Sequence, residues 1–338
     1  MRKVLITGGA GFIGSNFTRY LIGKYPDYQV TVLDALTYAG NLDNLSGLSG
    51  NPSFQFFHGD IRDKNIVGNL MANHDAVVHF AAETHVDRSI VDADSFISTD
   101  VYGTYLLLEA ARAANIKKFV HISTDEVYGE APGRPSLEDD ALYPKSPYAA
   151  SKAGADRLAY SYYTTYGVPV VISRCANNYG PYQYPEKLIP FFLTNALEDK
   201  PLPAYGTGKN TRTWIHALDH STAIDLLLHS KSNADGKAYN ISSREEFSVL
   251  EIAELILDAV KKPKSLIKFV KDRPGHVVRH AVDPKKMEED FGWQAKTKFS
   301  DGIRDTIKWY IDNRDWWKKI KDKQKDYEEF RQKWYEKR

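Results

Sequence analysis

Short, largely apolar runs alternate with amphipathic stretches along the first two-thirds of the chain, and this alternation limits the fold more than any other feature. Val4-Leu5-Ile6, Val30-Thr31-Val32-Leu33, Phe54-Gln55-Phe56-Phe57, Ala76-Val77-Val78-His79-Phe80, Phe119-Val120-His121-Ile122 and Pro169-Val170-Val171-Ile172 read as strands. Helical patterns separate several of them, over 12–24, about 92–114 and 148–166, and Leu106, Leu107, Ala110 and Ala111 mark the apolar side of the second. A strand without a polar face is buried on both sides, and strands joined through helices run parallel. The expectation is an α/β fold built on a doubly wound parallel sheet.

After about residue 175 the texture changes. Pro181, Pro185, Pro190, Pro201 and Pro203 punctuate the chain, which opposes long regular elements. Elements then resume, with a strand in 237–242 and a helix over 248–260. This predicts a first domain over 1–175, with segments near 210–242 returning to it, and a smaller mixed α/β substrate-binding lobe over most of 176–320. Residues 321–338 form a charged helical tail in this reading.

Lys and Arg total 45 against 44 Asp and Glu, a net charge of +1. That excludes a chain built globally for nucleic acid or an anionic membrane. The excess that exists is local: residues 314–338 carry ten basic and six acidic side chains, with aromatics between them. An amphipathic terminal helix with a solvated far end explains this better than a nucleic-acid surface. With Cys175 as the single cysteine, neither an intrachain disulfide nor a cysteine-rich zinc site can form, and no metal site is expected. The apolar stretch after Arg2 and Lys3 stops at Thr7-Gly8, and no run approaches the roughly 18 residues that span a bilayer. A cytoplasmic protein is the expectation.

Gly8, Gly11 and Gly14 fall between the first strand and the first helix. Glycine there permits a tight turn and lets backbone amides approach a pyrophosphate, which the helix N-terminus attracts. Asp34 closes the second strand, where a carboxylate can accept from both hydroxyls of an adenosine ribose. It would repel a 2′-phosphate, and no arginine follows in Ala35-Leu36-Thr37-Tyr38. The reading is a Rossmann dinucleotide site for NAD rather than NADP. Asp60, after the third strand, either contacts adenine or caps a turn.

Two further groups follow in chain order. Ser123-Thr124-Asp125-Glu126 comes directly after the fifth strand, the edge at which parallel sheets bind ligands. Tyr148 and Lys152 lie four apart at a helix start and share a face. A lysine beside a tyrosine lowers the phenol pKa, so the tyrosine can take a proton from a sugar hydroxyl as hydride leaves the carbon.

Together these motifs make the sequence resemble the extended short-chain dehydrogenase/reductases and, within them, the dTDP-glucose 4,6-dehydratase family. The likeness runs from Lys3 to about Trp317. It includes Thr37-Tyr38-Ala39-Gly40-Asn41, His58-Gly59-Asp60-Ile61-Arg62-Asp63, Ala81-Ala82-Glu83-Thr84-His85-Val86-Asp87-Arg88-Ser89, Ser123-Thr124-Asp125-Glu126-Val127-Tyr128-Gly129, Asn177-Asn178-Tyr179-Gly180-Pro181, Pro185-Glu186-Lys187-Leu188-Ile189-Pro190 and Asp272-Arg273-Pro274-Gly275-His276. The Thr-Asp-Glu triplet is the most diagnostic, because related epimerases and decarboxylases lack the carboxylate pair.

The resemblance implies a nucleotide-diphosphate hexose as substrate, dTDP-glucose first and a UDP-hexose as alternative, and a 4-keto-6-deoxy sugar as product. Tyr148 would act as base at C4, Thr124 would hydrogen-bond the same hydroxyl, Glu126 would remove the C5 proton, and a protonated Asp125 would assist loss of the C6 hydroxyl. For NAD it implies contacts from Phe12, Ile13, Thr37, Ile61, Ala81 and Ala82 beside the glycines. Thr84, Thr99, Tyr148, Lys152, Cys175 and Asn178 would complete that site. For the nucleotide sugar it implies His85, Asn177, Lys187, Leu188 and Tyr205, with Arg212 and Arg279 on the pyrophosphate and Asn240 and His276 on the nucleotide path. It further implies a homodimer paired through helices 92–114 and 148–166. The chain departs from the family at Ala35, Val277 and His280, and Asp100 stands where an Asn is usual.

Overall fold

The structure, a computed structural model, describes residues 2–323. Seven parallel strands form its main sheet: β1 (Lys3–Thr7), β2 (Gln29–Asp34), β3 (Phe54–His58), β4 (Ala76–His79), β5 (Lys118–Thr124), β6 (Val170–Cys175) and β7 (Ala238–Ile241). Their spatial order is β7-β6-β5-β4-β1-β2-β3. The chain builds outward from β1 to β3, then crosses back to β4 and builds the other way. Between β1 and β4 the connections diverge to opposite faces, and a crevice opens beyond the strand ends.

Side-chain alternation fills both faces of this sheet. Val4 and Ile6 of β1 join Phe17 and Leu21 of the helix Phe12–Lys24, and Ile224 and Leu227 of the helix Ala217–Leu228, in one core. Leu5 between them points the other way, into a second core that includes Leu107, Ala159 and Tyr162. Burial on both faces is why these strands read as unbroken apolar runs.

The stretch expected as one regular helix over 92–114 is instead divided. A short turn at Asp94–Phe96 leads into a wide π-helical segment, Ile97–Gly103, and only then into the α-helix Thr104–Ala113. The cause is tertiary. Asp100 faces inward and its carboxylate accepts the Glu83 N–H at 2.8 Å and the Ser151 hydroxyl at 2.6 Å. Wide turns of this kind gather at functional sites.

The helix Pro147–Tyr166 begins where its sequence dictates. Ser146 accepts the Ala149 N–H at 3.1 Å, Pro147 opens the first turn, and Gly167 ends it in the left-handed region at φ 71°.

The smaller lobe is centred on Thr211–His216, which pairs with Glu246–Ser248, Arg279–His280 and Asn177–Tyr179. Its core includes Ile189, Phe192, Trp214, Ile256, Phe299 and the fully buried Trp317. Of the stretch 210–242 expected beside the first sheet, Thr211–His216 therefore belongs here, because its pairing partners do. The helix Ala217–Leu228 and β7 return, with Ile215 and Ala234 also reaching that core, joined by Val282, Met287 and Trp293 from later in the chain. Of the tail, the helix Arg314–Lys323 is described, while the aromatics Phe330, Trp334 and Tyr335 fall outside the described residues. Among the described residues no helix is long and apolar enough to cross a membrane.

Candidate active site

A cavity of about 410 Å³ lies at the carboxyl edge of the main sheet, between it and the smaller lobe. Its floor is the glycine turn. Gly8 sits at φ +72°, and a Cβ there would stand 2.5 Å from the Ala81 nitrogen. A Cβ on Gly14 would stand 2.3 Å from the Gly8 carbonyl oxygen. These glycines let the helix Phe12–Lys24 start directly against β1 and β4. Gly11 at its N-cap makes no side-chain capping bond, so the first-turn N–H groups lack a side-chain acceptor and border the cavity with Gly11, Phe12, Ile13 and Gly14. An uncapped N-terminus of this kind suits a phosphate.

Asp34 forms the next wall. Its Oδ2 accepts the Ala10 N–H at 2.9 Å and its Oδ1 the Leu36 N–H at 2.8 Å. Burial raises its carboxyl pKa and those two bonds pull it back. Each oxygen keeps lone pairs for a further donor. Asp60 also reaches the cavity, but Arg62 grips it at 2.6 Å and holds its carboxyl below the usual range. Thr37, Ile61, Ala81, Ala82, Thr84, Thr99, Cys175 and Asn178 line the same space. Uncapped helix, glycine cradle and strand-end carboxylate fit a dinucleotide of the NAD type.

Farther in stand the expected catalytic groups. Lys152 is buried and donates to the Ile122 carbonyl at 2.7 Å. Tyr148, one helical turn earlier, borders the cavity. Its phenol was expected to be lowered by Lys152. Here burial first, then the charges of Glu126 and Asp100, raise it well above its ordinary value, while the Lys152 ammonium is turned onto a backbone carbonyl.

Thr124 ends β5, and its hydroxyl both donates to Asp125 Oδ1 and accepts the Glu126 N–H, each at 3.3 Å. The two carboxylates that follow have opposite surroundings. Glu126 is half-buried on the cavity wall. Asp125 lies behind that wall at 2% exposure, and its Oδ2 has no hydrogen-bond partner among the described residues. Burial, then the neighbouring Glu126 charge, push its carboxyl up to about 7, against the pull of Arg212.

The far end of the cavity is cationic. Arg212 is buried, donates to the carbonyls of Thr211 at 2.7 Å and Val277 at 3.1 Å, and has no ion-pair partner among the described residues. His85, Asn177, Lys187, Leu188, Tyr205 and His276 line this end as expected. Burial lowers Lys187, whose ammonium donates to Thr84 Oγ1 at 3.2 Å. His276 bonds Asp272 at 2.6 Å, and burial pushes its pKa down to about 4.

Besides Asp125, two expected residues do not reach the cavity. Asn240 is fully buried in the fold, bonded to Tyr128, Ser136 and Glu138. Arg279 is spent on Glu246 and the Ala131 carbonyl. Neither borders the cavity. Arg62, Asp87 and Arg273 do; all three stand in the motifs of the resemblance, but sequence reasoning gave them no place in the site. Arg273 pairs with Asp87 at 2.7 Å, and Tyr205 donates to the same carboxylate at 2.9 Å. Arg62 was legible as a cation two residues after Asp60. The partners Asp87 and Arg273 are 186 positions apart, and no local signal joins them.

Fold and site thus define an extended short-chain dehydrogenase/reductase with a carboxylate pair beside its tyrosine. The family model described as GDP-mannose 4,6 dehydratase matches residues 5–306. The dTDP-glucose 4,6-dehydratase of Streptomyces niveus is 47% identical over 323 residues, covering 94% of this chain and 96% of that one. The low-salt glycan biosynthesis protein Agl12 of Haloferax volcanii is 50% identical over 308 residues, covering 91% and 98%. The crystal structure of DesIV, a dTDP-glucose 4,6-dehydratase from Streptomyces venezuelae with NAD bound, superposes at a TM-score of 0.91 with 47% identity, covering 94% of this chain and 99% of that one. The chain belongs to the dTDP-glucose 4,6-dehydratase family.

Proposed function

We propose that the protein dehydrates a nucleotide-diphosphate hexose, dTDP-glucose, to the 4-keto-6-deoxy sugar with NAD as its resident cofactor. One observation carries this reading: Asp125 and Glu126 are adjacent, yet one is buried with its carboxyl near neutrality and the other faces the cavity. Elimination of water needs a base and an acid at neighbouring carbons, and such a split environment supplies both. A simple 4-epimerase has no use for it.

When bound, NAD supplies the hydride acceptor and donor and, in its oxidised form, a positive charge that favours the Tyr148 phenolate. Tyr148 takes the proton of the C4 hydroxyl, and Thr124 holds that oxygen. The 4-ketone so formed acidifies the C5–H bond. Glu126 takes the C5 proton while the C5–H pair forms the C5–C6 double bond. Asp125, whose carboxyl must come forward from behind the Glu126 wall, gives its proton to the C6 hydroxyl, which departs as water. Glu126 then gives a proton to C5 as the hydride removed from C4 is returned to C6, which leaves the 4-keto-6-deoxy sugar and the cofactor as it began. Lys152, fixed on Ile122, holds the helix start that carries Tyr148. Arg212 and Lys187 are placed to meet the diphosphate with charge-assisted hydrogen bonds.

In this reading the main sheet holds the dinucleotide and the smaller lobe the nucleoside diphosphate. Two copies of the chain pair through the helices that carry the exposed Tyr102 and Tyr160, and the lone buried Cys175 suits the reducing cytoplasm. Incubating the protein with dTDP-glucose, UDP-glucose and UDP-N-acetylglucosamine tests the reaction. The expected result is a product one water lighter from dTDP-glucose, and conversion of none of the three overturns the proposal. Size-exclusion chromatography tests the dimer.

A further inference from the structure

The helix Arg314–Lys323 lies beyond the residues 5–306 that the family model matches, and the reaction above gives it no task. Its side chains nevertheless reach both walls of the cavity. On the dinucleotide side, the Trp316 indole N–H donates to Asn44 Oδ1 at 3.0 Å, and the Asn44 amide donates to the Ala10 carbonyl at 2.8 Å. Ala10 lies inside the glycine turn, and its own N–H is the one that Asp34 accepts. Lys319 pairs with Asp43 in the same loop. On the other side, Lys321 pairs with Glu198 at 2.6 Å, Arg314 reaches the Leu197 carbonyl at 3.3 Å, and Trp317 is buried in the core of the smaller lobe. Between the two, Ile320 and Trp316 pack with Tyr184 and Tyr38, both of which line the cavity.

The helix covers one face, Trp316, Trp317, Ile320 and Lys321, and that face straddles both walls. Trp316 bonds the dinucleotide loop while its ring also packs against the smaller-lobe core, and Trp317 and Lys321 engage the smaller lobe. Opening the cleft would break both sets of contacts together. We propose that the helix Arg314–Lys323 is a strap across the back of the dinucleotide cleft, and that Trp316 and Asn44 are positioning residues that slow release of the dinucleotide. The inference rests on the reading of the site as one for NAD.

The test loads the full-length protein with radiolabelled NAD and chases with excess unlabelled NAD. Trp316→Ala and Asn44→Ala are expected to release label about tenfold faster, the upper end for one lost neutral hydrogen bond. Lys319→Glu, which alters only an exposed pair and leaves the fold intact, is expected to release it about threefold faster. Turnover at saturating NAD and substrate should stay within about twofold, because no reacting atom is touched. Release at the parent rate in Lys319→Glu and in whichever of the other two variants fold, with the parent retaining NAD, overturns the strap alone. A parent that retains no NAD overturns the reading of the site, and the strap's role with it.

Discussion

Replacing Asp125 by Asn should make the protein more stable and less active at once. The Asp125 carboxyl is buried at 2% exposure, with its pKa pushed from the ordinary 3.8 to about 7. A rise of roughly three decades in proton affinity corresponds to ~4 kcal/mol. The raised value gives the sign. Below about pH 4 the carboxyl is protonated in both the folded and unfolded chain, and its burial is harmless. As pH rises toward 7 the unfolded chain ionises first, so stability falls; above 7 the folded protein carries the whole burden. The amide of Asn keeps the shape without the charge. Urea unfolding of ligand-free parent and Asp125→Asn should therefore differ by about 2–4 kcal/mol in favour of the variant at pH 8, and converge toward pH 4. The same variant should lose roughly 10²–10⁴ in dehydration rate, because an amide is no acid. A variant that is no more stable than the parent at pH 8 would refute the claim that Asp125 is held near neutrality by burial and by Glu126.

Glu126→Gln should still allow oxidation at C4 but block loss of water, so that a reduced nicotinamide absorbance builds up without a 4-keto-6-deoxy product. A variant that eliminates water at the parent rate removes Glu126 as the base. Gly14→Ala drives a methyl to 2.3 Å from the Gly8 carbonyl, and the forced shift should cost about 1–3 kcal/mol and weaken NAD binding by calorimetry. At the joint between the helices Phe12–Lys24 and Ala217–Leu228, Asp225 accepts from Lys24 at 2.6 Å, Tyr20 at 3.0 Å and Tyr25 at 3.2 Å, and pairs with His229 at 2.9 Å. Burial raises the Asp225 carboxyl, but bonds from His229, Lys24 and Tyr20 overcome it and hold it at about 2, while Asp225 raises His229 against its own burial. The His229 contribution is complete below its ordinary 6.5 and fades as pH rises through its higher folded value. Asp225→Asn should thus cost about 1–3 kcal/mol near pH 6 and less near pH 9 in denaturant unfolding; an equal cost at both would show that His229 takes no part.

The residues that were legible are those whose role is set by near neighbours in the chain. The main strands show as apolar runs because both faces are buried, and the Gly8–Gly14 turn and the Tyr148–Lys152 spacing each fit within one or two helical turns. What was not legible depends on distant partners. The break at Ile97–Gly103 follows from Asp100 meeting Glu83 and Ser151, and a 3.6-residue period carries no trace of that. Arg279 was expected on a diphosphate because cations bind phosphate; Glu246 and Ala131, brought beside it by sheet pairing, had already claimed it. The lowered phenol expected of Tyr148 depends on distant partners too: proximity to Lys152 is a helical fact, but burial in the folded site and the charges of Glu126 and Asp100 raise the phenol, and the Lys152 ammonium is bonded to Ile122 on β5.

The central claim is that proton removal at C5 and loss of the C6 hydroxyl occur in this cavity with the cofactor returned to its starting state. Turnover of dTDP-glucose in deuterated water measures this directly. The account predicts a 4-keto-6-deoxy product carrying deuterium at C5, with no net gain of reduced nicotinamide. A product without deuterium at C5, or turnover that accumulates reduced cofactor in proportion to product, would contradict it.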